Sequence, residues 1–323
     1  MLAAIYDRLG SADVLQVIDL PRPEPAPGEV RVRIRVSGVN PSDWKARADG
    51  PGKKMPFPFV VPHQDGAGEI DAVGDGVDPG RIGQRVWVYF ASWRRQYGTA
   101  EERVCLPEQQ AVPLADTVSL QLGASLGIPA LTAYHALFSD GPLQGKTVLV
   151  AGGAGAVGHF AIELARRGGA RVITTVSSPE KAELARAAGA DEVINYRAED
   201  AASTVRAAAP DGVDRIIQVA LSANLTLDLQ VLAPDGTVVT YAATGPDPAI
   251  PVRQLMSRNL TLRFMLIYTI PAAALRTAVE EVNAAVAAGG LTELPVIRYR
   301  LDQIAEAHQA VEDGAVGKVV VEV

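Results

Sequence analysis

Three evenly spaced glycines, Gly152, Gly155 and Gly158, follow the apolar run Val148-Leu149-Val150-Ala151 and lead into a second apolar stretch from Ala156. Glycine at such a strand-to-helix turn lets backbone approach a pyrophosphate, and the N–H groups of the helix's first turn offer that anion partial positive charge. Gly152, Gly155, Ala156, Val157 and Gly158 are therefore candidate cofactor contacts. The glycine spacing alone is a weak signal; the strand–turn–helix frame favours a dinucleotide site over a mere tight turn. At the end of the next strand, about 20 residues on, an NAD site usually has an acidic residue for the ribose 2′-hydroxyl. Ser177 and Ser178 stand there instead. Without a carboxylate to repel it, a 2′-phosphate is favoured, so the expected cofactor is NADPH. In Ser178-Pro179-Glu180-Lys181 the serine reads as N-cap and the proline as first helical residue. Lys181 then lies in a first turn, where a cation opposes the helix dipole. A nearby phosphate would account for it; the alternative is a solvated surface lysine.

The elements that must hold these residues fall into two textures. From about residue 122, β-branched strand candidates at 147–151, 171–176, 192–196, 214–220 and 237–242 alternate with alanine-rich segments. Helices are expected at 156–167 and 179–188, with Gly168 and Gly189 as stops. That alternation predicts an α/β, doubly wound parallel sheet. The preceding residues are β-rich: 29–36 alternates at period two, predicting a sheet with one wet face. Pro21 to Pro27 reads as a connector, and Gly66-Ala67-Gly68 and Gly74-Asp75-Gly76 as tight turns. After residue 260 come a strand at 260–270, a helix near 272–288 and a last strand at 318–323. The expected organisation is 1–121, a β-rich, barrel-like domain; 122–260, the dinucleotide domain; and 261–323, a segment completing both.

With 323 residues, the chain is long enough for about two domains. Its net charge of -7 disfavours nonspecific nucleic-acid binding. A single cysteine, Cys105, rules out an intramolecular disulfide and a cysteine-rich zinc lobe, and suits a reducing, cytoplasmic setting. The N-terminus does not read as a signal peptide. The 260–270 run carries Arg263 and falls short of the ~20 residues of a membrane helix.

Several motifs then resemble the quinone oxidoreductase and zeta-crystallin branch of the medium-chain dehydrogenase/reductase superfamily. They are Gly38-Val39-Asn40-Pro41-Ser42-Asp43, the glycine loop at 150–158, Ala190-Asp191-Glu192-Val193-Ile194-Asn195-Tyr196, and the ending Gly314-Ala315-Val316-Gly317-Lys318. The resemblance implies a Rossmann domain plus a GroES-like substrate domain formed by both chain ends, with the active site in the cleft. It implies that Ser177 or Ser178, Lys181 and Tyr196 hold the 2′-phosphate, and it adds Ala242 and Lys318 to the cofactor contacts. It also implies a homodimer, with 260–270 as the interface or, equally, an internal strand.

The chain departs from the superfamily's zinc enzymes at the ligand positions. Asn40 stands for their first cysteine, Pro62-His63-Gln64 for Gly-His-Glu, and no cysteine lies near Leu126. One histidine is not a site, since catalytic zinc takes about three protein ligands. No metal is therefore expected; His63 is either a cleft residue or a structural one. Lys45 replaces the tyrosine of many quinone oxidoreductases, and Trp44 is a cleft wall or a core residue. Tyr134 resembles a position near the nicotinamide, which core packing would explain as well. The expected reaction is hydride transfer from NADPH to a small acceptor, a quinone or an α,β-unsaturated carbonyl (enone). Asn40 and Lys45 are the candidate catalytic donors to the oxygen that gains charge. The rival readings are a zinc-type alcohol dehydrogenase and a noncatalytic NADPH-binding sensor, RNA-binding or structural module.

Overall fold

β-Branched and aliphatic runs, too apolar for a half-wet sheet, build a six-stranded parallel sheet. Its order is Glu192–Asn195, Arg171–Val176, Thr147–Ala151, Val213–Gln218, Leu232–Thr240 and Thr261–Phe264. The chain starts in the middle at Thr147–Ala151, works outward to Glu192–Asn195, then returns to the other side at Val213–Gln218. The topological switch therefore falls beside Thr147–Ala151, where ligands of open α/β sheets sit at the strands' C-terminal ends. Leu149, Ile173, Ile194, Ile216 and Val238 form one core with helices Ala201–Ala208 and Leu221–Val231. Helix Ala156–Arg167 buries Phe160, Ala161, Ile162 and Leu164.

This computed structural model describes all 323 residues and divides them into two units, Pro129–Thr292 and the two chain ends, Met1–Ile128 with Glu293–Val323. The first division falls after Ile128 rather than at 121/122, because Ile128 is tied by its N–H to the Asp65 carboxylate at 2.9 Å. The expected 260–270 strand is shorter: Thr261–Phe264 forms the sheet edge, followed by a single 3-10 turn, Ile267–Thr269, with Phe264 and Leu266 exposed. No helix is long and apolar enough to cross a membrane.

The unit made of the two chain ends is organised on Glu29–Gly38, a strand with three partner strands. Residues 29–33 pair with Arg103–Pro107 and residues 36–38 with the chain end, while Asp65–Val73 pairs along the other edge. Both edges are consequently paired, and the faces alternate as the period of two predicts: Val30, Val32, Ile34 and Val36 are buried, while Arg33 is exposed and Glu29 and Arg35 are half-buried. Arg31 departs from the pattern, buried and bonded to Asp71 at 2.6 Å. Gly66-Ala67-Gly68, expected as a turn, lies within Asp65–Val73.

Candidate active-site and cofactor residues

The glycine turn closes on itself and leaves its helix open. Gly152 and Gly153 donate to the Thr175 carbonyl at 3.0 and 3.2 Å, and Gly155 to that of Gly152 at 3.0 Å. Helix Ala156–Arg167 starts from Gly155 with no side-chain cap. By helix geometry the N–H groups of Ala156, Val157 and Gly158 have no intrahelical acceptor. A Cβ on Gly158 would lie 2.2 Å from the Gly152 carbonyl oxygen, so only glycine lets this helix sit so close to the turn. The donor set and the close approach both fit a pyrophosphate.

The 2′-phosphate candidates lie at the end of the neighbouring strand Arg171–Val176. Lys181 Nζ stands 3.1 Å from Ser177 Oγ, and Ser178 caps helix Pro179–Ala187 by accepting the Lys181 N–H at 3.3 Å. The N–H of Tyr196 donates to the Val176 carbonyl at 3.1 Å, setting that half-exposed tyrosine beside the serines. Ala242 follows the end of Leu232–Thr240, and its carbonyl accepts from Thr240 Oγ1 at 3.2 Å. Tyr134 lies on helix Leu131–Phe138, its ring 4.8 Å from that of Phe138. Burial, then the Glu281 charge, raises its phenol pKa.

Asn40 sits at the entry to helix Pro41–Arg47 and is only 2% exposed. Its Nδ2 donates to Asp65 Oδ2 at 2.6 Å, while its Oδ1 accepts from Lys318 Nζ at 2.8 Å. Its peptide N–H donates to Asp43 Oδ2 at 2.7 Å. Burial and the charge of Asp65 push the Asp43 carboxyl up to about 8. Burial also raises Asp65, opposed by Lys318, to about 6. Lys318, expected at the cofactor, is instead 3% exposed and gives its ammonium hydrogens to Asn40 and to the Val39 carbonyl at 3.0 Å. Two of its ammonium hydrogens are thus engaged within the unit of the chain ends.

His63 likewise lines no open surface. Fully buried, it bonds Ser37 Oγ through Nδ1 at 2.7 Å and His308 Nε2 through Nε2 at 2.9 Å. Desolvation, then the charges of His308 and Lys318, lowers its pKa, so it is neutral. Lys45 is not among the partners of Asn40; its ammonium lies over the Trp44 ring, 5.8 Å from the centroid. No group of three or more His, Cys, Asp or Glu side chains is arranged to hold a metal. Asp65, Ser37, Thr99 and His308 are not distinguished in the sequence, because each is an unremarkable polar residue until segments far apart in the chain bring them together.

The chain is similar to known proteins along its whole length. The alcohol dehydrogenase GroES-like domain matches residues 26–116, and the zinc-binding dehydrogenase family matches residues 156–284. Quinone oxidoreductase of Rattus norvegicus is 29% identical over 287 residues, 88% of this chain and 85% of that one. The structure of a mycobacterial quinone oxidoreductase is 30% identical, covers 100% of both chains and superposes with a TM-score of 0.86. A mycobacterial structure complexed with NADPH is 29% identical over 100% of both chains, with a TM-score of 0.87. From the glycine turn, the two-unit fold and these full-length likenesses, the chain belongs to the medium-chain dehydrogenase/reductase superfamily of oxidoreductases, in its quinone oxidoreductase and zeta-crystallin branch.

Proposed function

We propose that this chain binds NADPH and, without a metal, reduces a quinone or the β-carbon of an α,β-unsaturated carbonyl. The observation that carries the reading is the Ser177–Lys181 pair, 3.1 Å apart at a strand end with no carboxylate where a ribose 2′-hydroxyl would need one. A hydroxyl beside an ammonium offers a phosphate two hydrogen-bond donors, one of them charged. The open N–H groups of Ala156, Val157 and Gly158 hold the pyrophosphate. NADPH supplies the hydride. The acceptor then gains negative charge on oxygen, which calls for a fixed donor. Asn40 retains one Nδ2–H after its bond to Asp65, and that hydrogen is the donor we assign. A metal is left out on the chemistry of the residues: the amide at position 40 is a poor ligand whose oxygen Lys318 already occupies.

The test is a titration of the purified protein with NADPH and with NADH, repeated on Lys181→Ala. Loss of a charge-assisted bond to phosphate, about 1.5–3 kcal/mol, should weaken NADPH binding about 10- to 100-fold and leave NADH unaffected. Equal affinity for the two cofactors in the wild type would sink the phosphate pocket. Tight NADPH binding with no turnover on a panel of quinones and enones would favour a noncatalytic module, and one firmly held zinc per chain would favour an alcohol dehydrogenase.

A further inference from the structure

We propose that Asp65 and Lys318 are positioning residues that lock the Asn40 amide in one orientation, so that its single remaining N–H points to the acceptor's oxygen. The inference rests on the donor role given to Asn40 above. An ammonium has only hydrogens to give and a carboxylate has only lone pairs, so the two partners impose opposite demands on the amide. Lys318 fixes where Oδ1 must lie, and Asp65 fixes where Nδ2 must lie. Turning the amide over would set NH2 against the ammonium and the carbonyl oxygen against the carboxylate, losing two charge-assisted bonds together. The backbone is held as well: Asn40 and Asp43 exchange bonds, peptide N–H to carboxylate at 2.7 Å and peptide N–H to carbonyl at 3.0 Å.

Asp65 is itself immobilised from two directions. Its Oδ1 accepts from the Ile128 N–H, and a Cβ on Gly127 would approach that oxygen to 2.1 Å, so the segment lies flat against the carboxylate. Its carbonyl ends a buried row of side chains whose direction is set at the far end. Arg47 Nε has only a hydrogen to offer, so His308 Nδ1, 3.4 Å away, accepts it. Neutral His308 then carries its proton on Nε2 and donates to His63 Nε2, which leaves the His63 proton on Nδ1 for Ser37. Ser37 donates to Thr99 Oγ1 at 2.7 Å, and Thr99 to the Asp65 carbonyl at 2.5 Å. A peptide carbonyl does not take up the proton, so the row holds backbone in place and conducts nothing. That assigns His63 a mechanical task in place of an acid–base one.

A double-mutant cycle on the full chain tests this, with NADPH and 1,4-naphthoquinone as probes and the variants Asn40→Ala, Asp65→Asn and both together. If Asp65 acts through Asn40, each single change lowers kcat by about 100-fold, the loss seen for one oxyanion donor. The double variant should then be no slower than either single one, with KM for NADPH within about twofold throughout. A merely structural Asp65 would instead multiply its loss with that of Asn40→Ala, which overturns the proposal while the donor role stands. Unchanged kcat in Asn40→Ala would overturn the donor role itself. Should Asp65→Asn not fold, or turnover be absent, 15N relaxation of the Asn40 side-chain amide in the wild type decides. An order parameter near 0.85, that of rigid backbone, is expected, and one below about 0.6 defeats the lock.

Discussion

The groups of the Pro129–Thr292 unit that we assign to the cofactor keep much of their hydrogen-bonding capacity free, whereas those around Asn40 have almost all of theirs engaged. At the glycine turn a helix begins uncapped, and Lys181 and Ser177 have chiefly each other. Around Asn40, a lysine, two aspartates, two histidines, a serine and a threonine satisfy one another out of contact with water. The first arrangement is what a site looks like when the ligand supplies the missing half of its hydrogen bonds. The second is what a site looks like when one atom must be aimed, because buried polar groups that satisfy each other fully are stiff. Contributions should accordingly be separable in the first and strongly coupled in the second.

The hardest blow to the open site is to close its turn. Gly158→Val sets new atoms against the Gly152 carbonyl, which a Cβ alone would approach to 2.2 Å. The helix must retreat, taking its N–H groups away from the pyrophosphate. We expect NADPH and NADH binding to fall together by more than about 100-fold, equivalent to about 3 kcal/mol. Isothermal titration reads this directly, and retention of either cofactor would mean that the loop is not the pyrophosphate cradle.

A smaller effect probes the satisfied unit at a place where the pattern breaks. Glu101 is 1% exposed and neither carboxylate oxygen has a hydrogen-bond partner. Burial pushes its carboxyl up to about 9 from 4.5, so the folded protein keeps a proton there that the unfolded chain releases. Folding then binds the extra proton, and its stabilising contribution is complete below about pH 4.5 and lost progressively as pH rises towards 9. Glu101→Gln removes the titration. Relative to wild type, the variant should gain stability with pH across that window, reaching on the order of a few kcal/mol at pH 8. Urea unfolding at pH 5 and 8 measures it; parallel wild-type and variant curves would show that Glu101 is ionised and paired in solution.

The same contrast decides what could be read in the sequence. The strands Thr147–Ala151 and Arg171–Val176 and the helix Ala156–Arg167 lie where the residue pattern puts them, because each signal is local: an apolar run, a glycine, an amphipathic repeat. The phosphate candidates follow within the same stretch of chain. By contrast the partner of Lys318, which the resemblance puts among the cofactor contacts, lies 278 positions away at Asn40. Nothing local distinguishes an ammonium that will meet a phosphate from one that will be buried between carboxylates. The stop of helix Ala156–Arg167 shows the limit on a finer scale. Gly168 ends it with φ −74°, in a conformation open to any residue, and the left-handed turn falls to Gly169 at φ 79°. Strand 29–36 shows the same limit at one residue: alternation places Val30, Val32, Ile34 and Val36 inside and Arg33 outside, but nothing local shows that Arg31 is buried by its pairing with the distant Asp71.

The smallest expected effect sharpens the comparison most. Ser177→Ala deletes one hydroxyl from the phosphate pocket, and that hydroxyl is exposed enough for water to stand in. The loss should be that of one ordinary hydrogen bond, about 1 kcal/mol, or roughly fivefold weaker NADPH binding with NADH unchanged. Combined with Lys181→Ala, the losses should nearly add, since each residue serves the ligand more than its neighbour. Strong coupling between the two would mean that the serine exists to hold the lysine. In that case the open site and the buried one would work by the same principle of aiming a single donor.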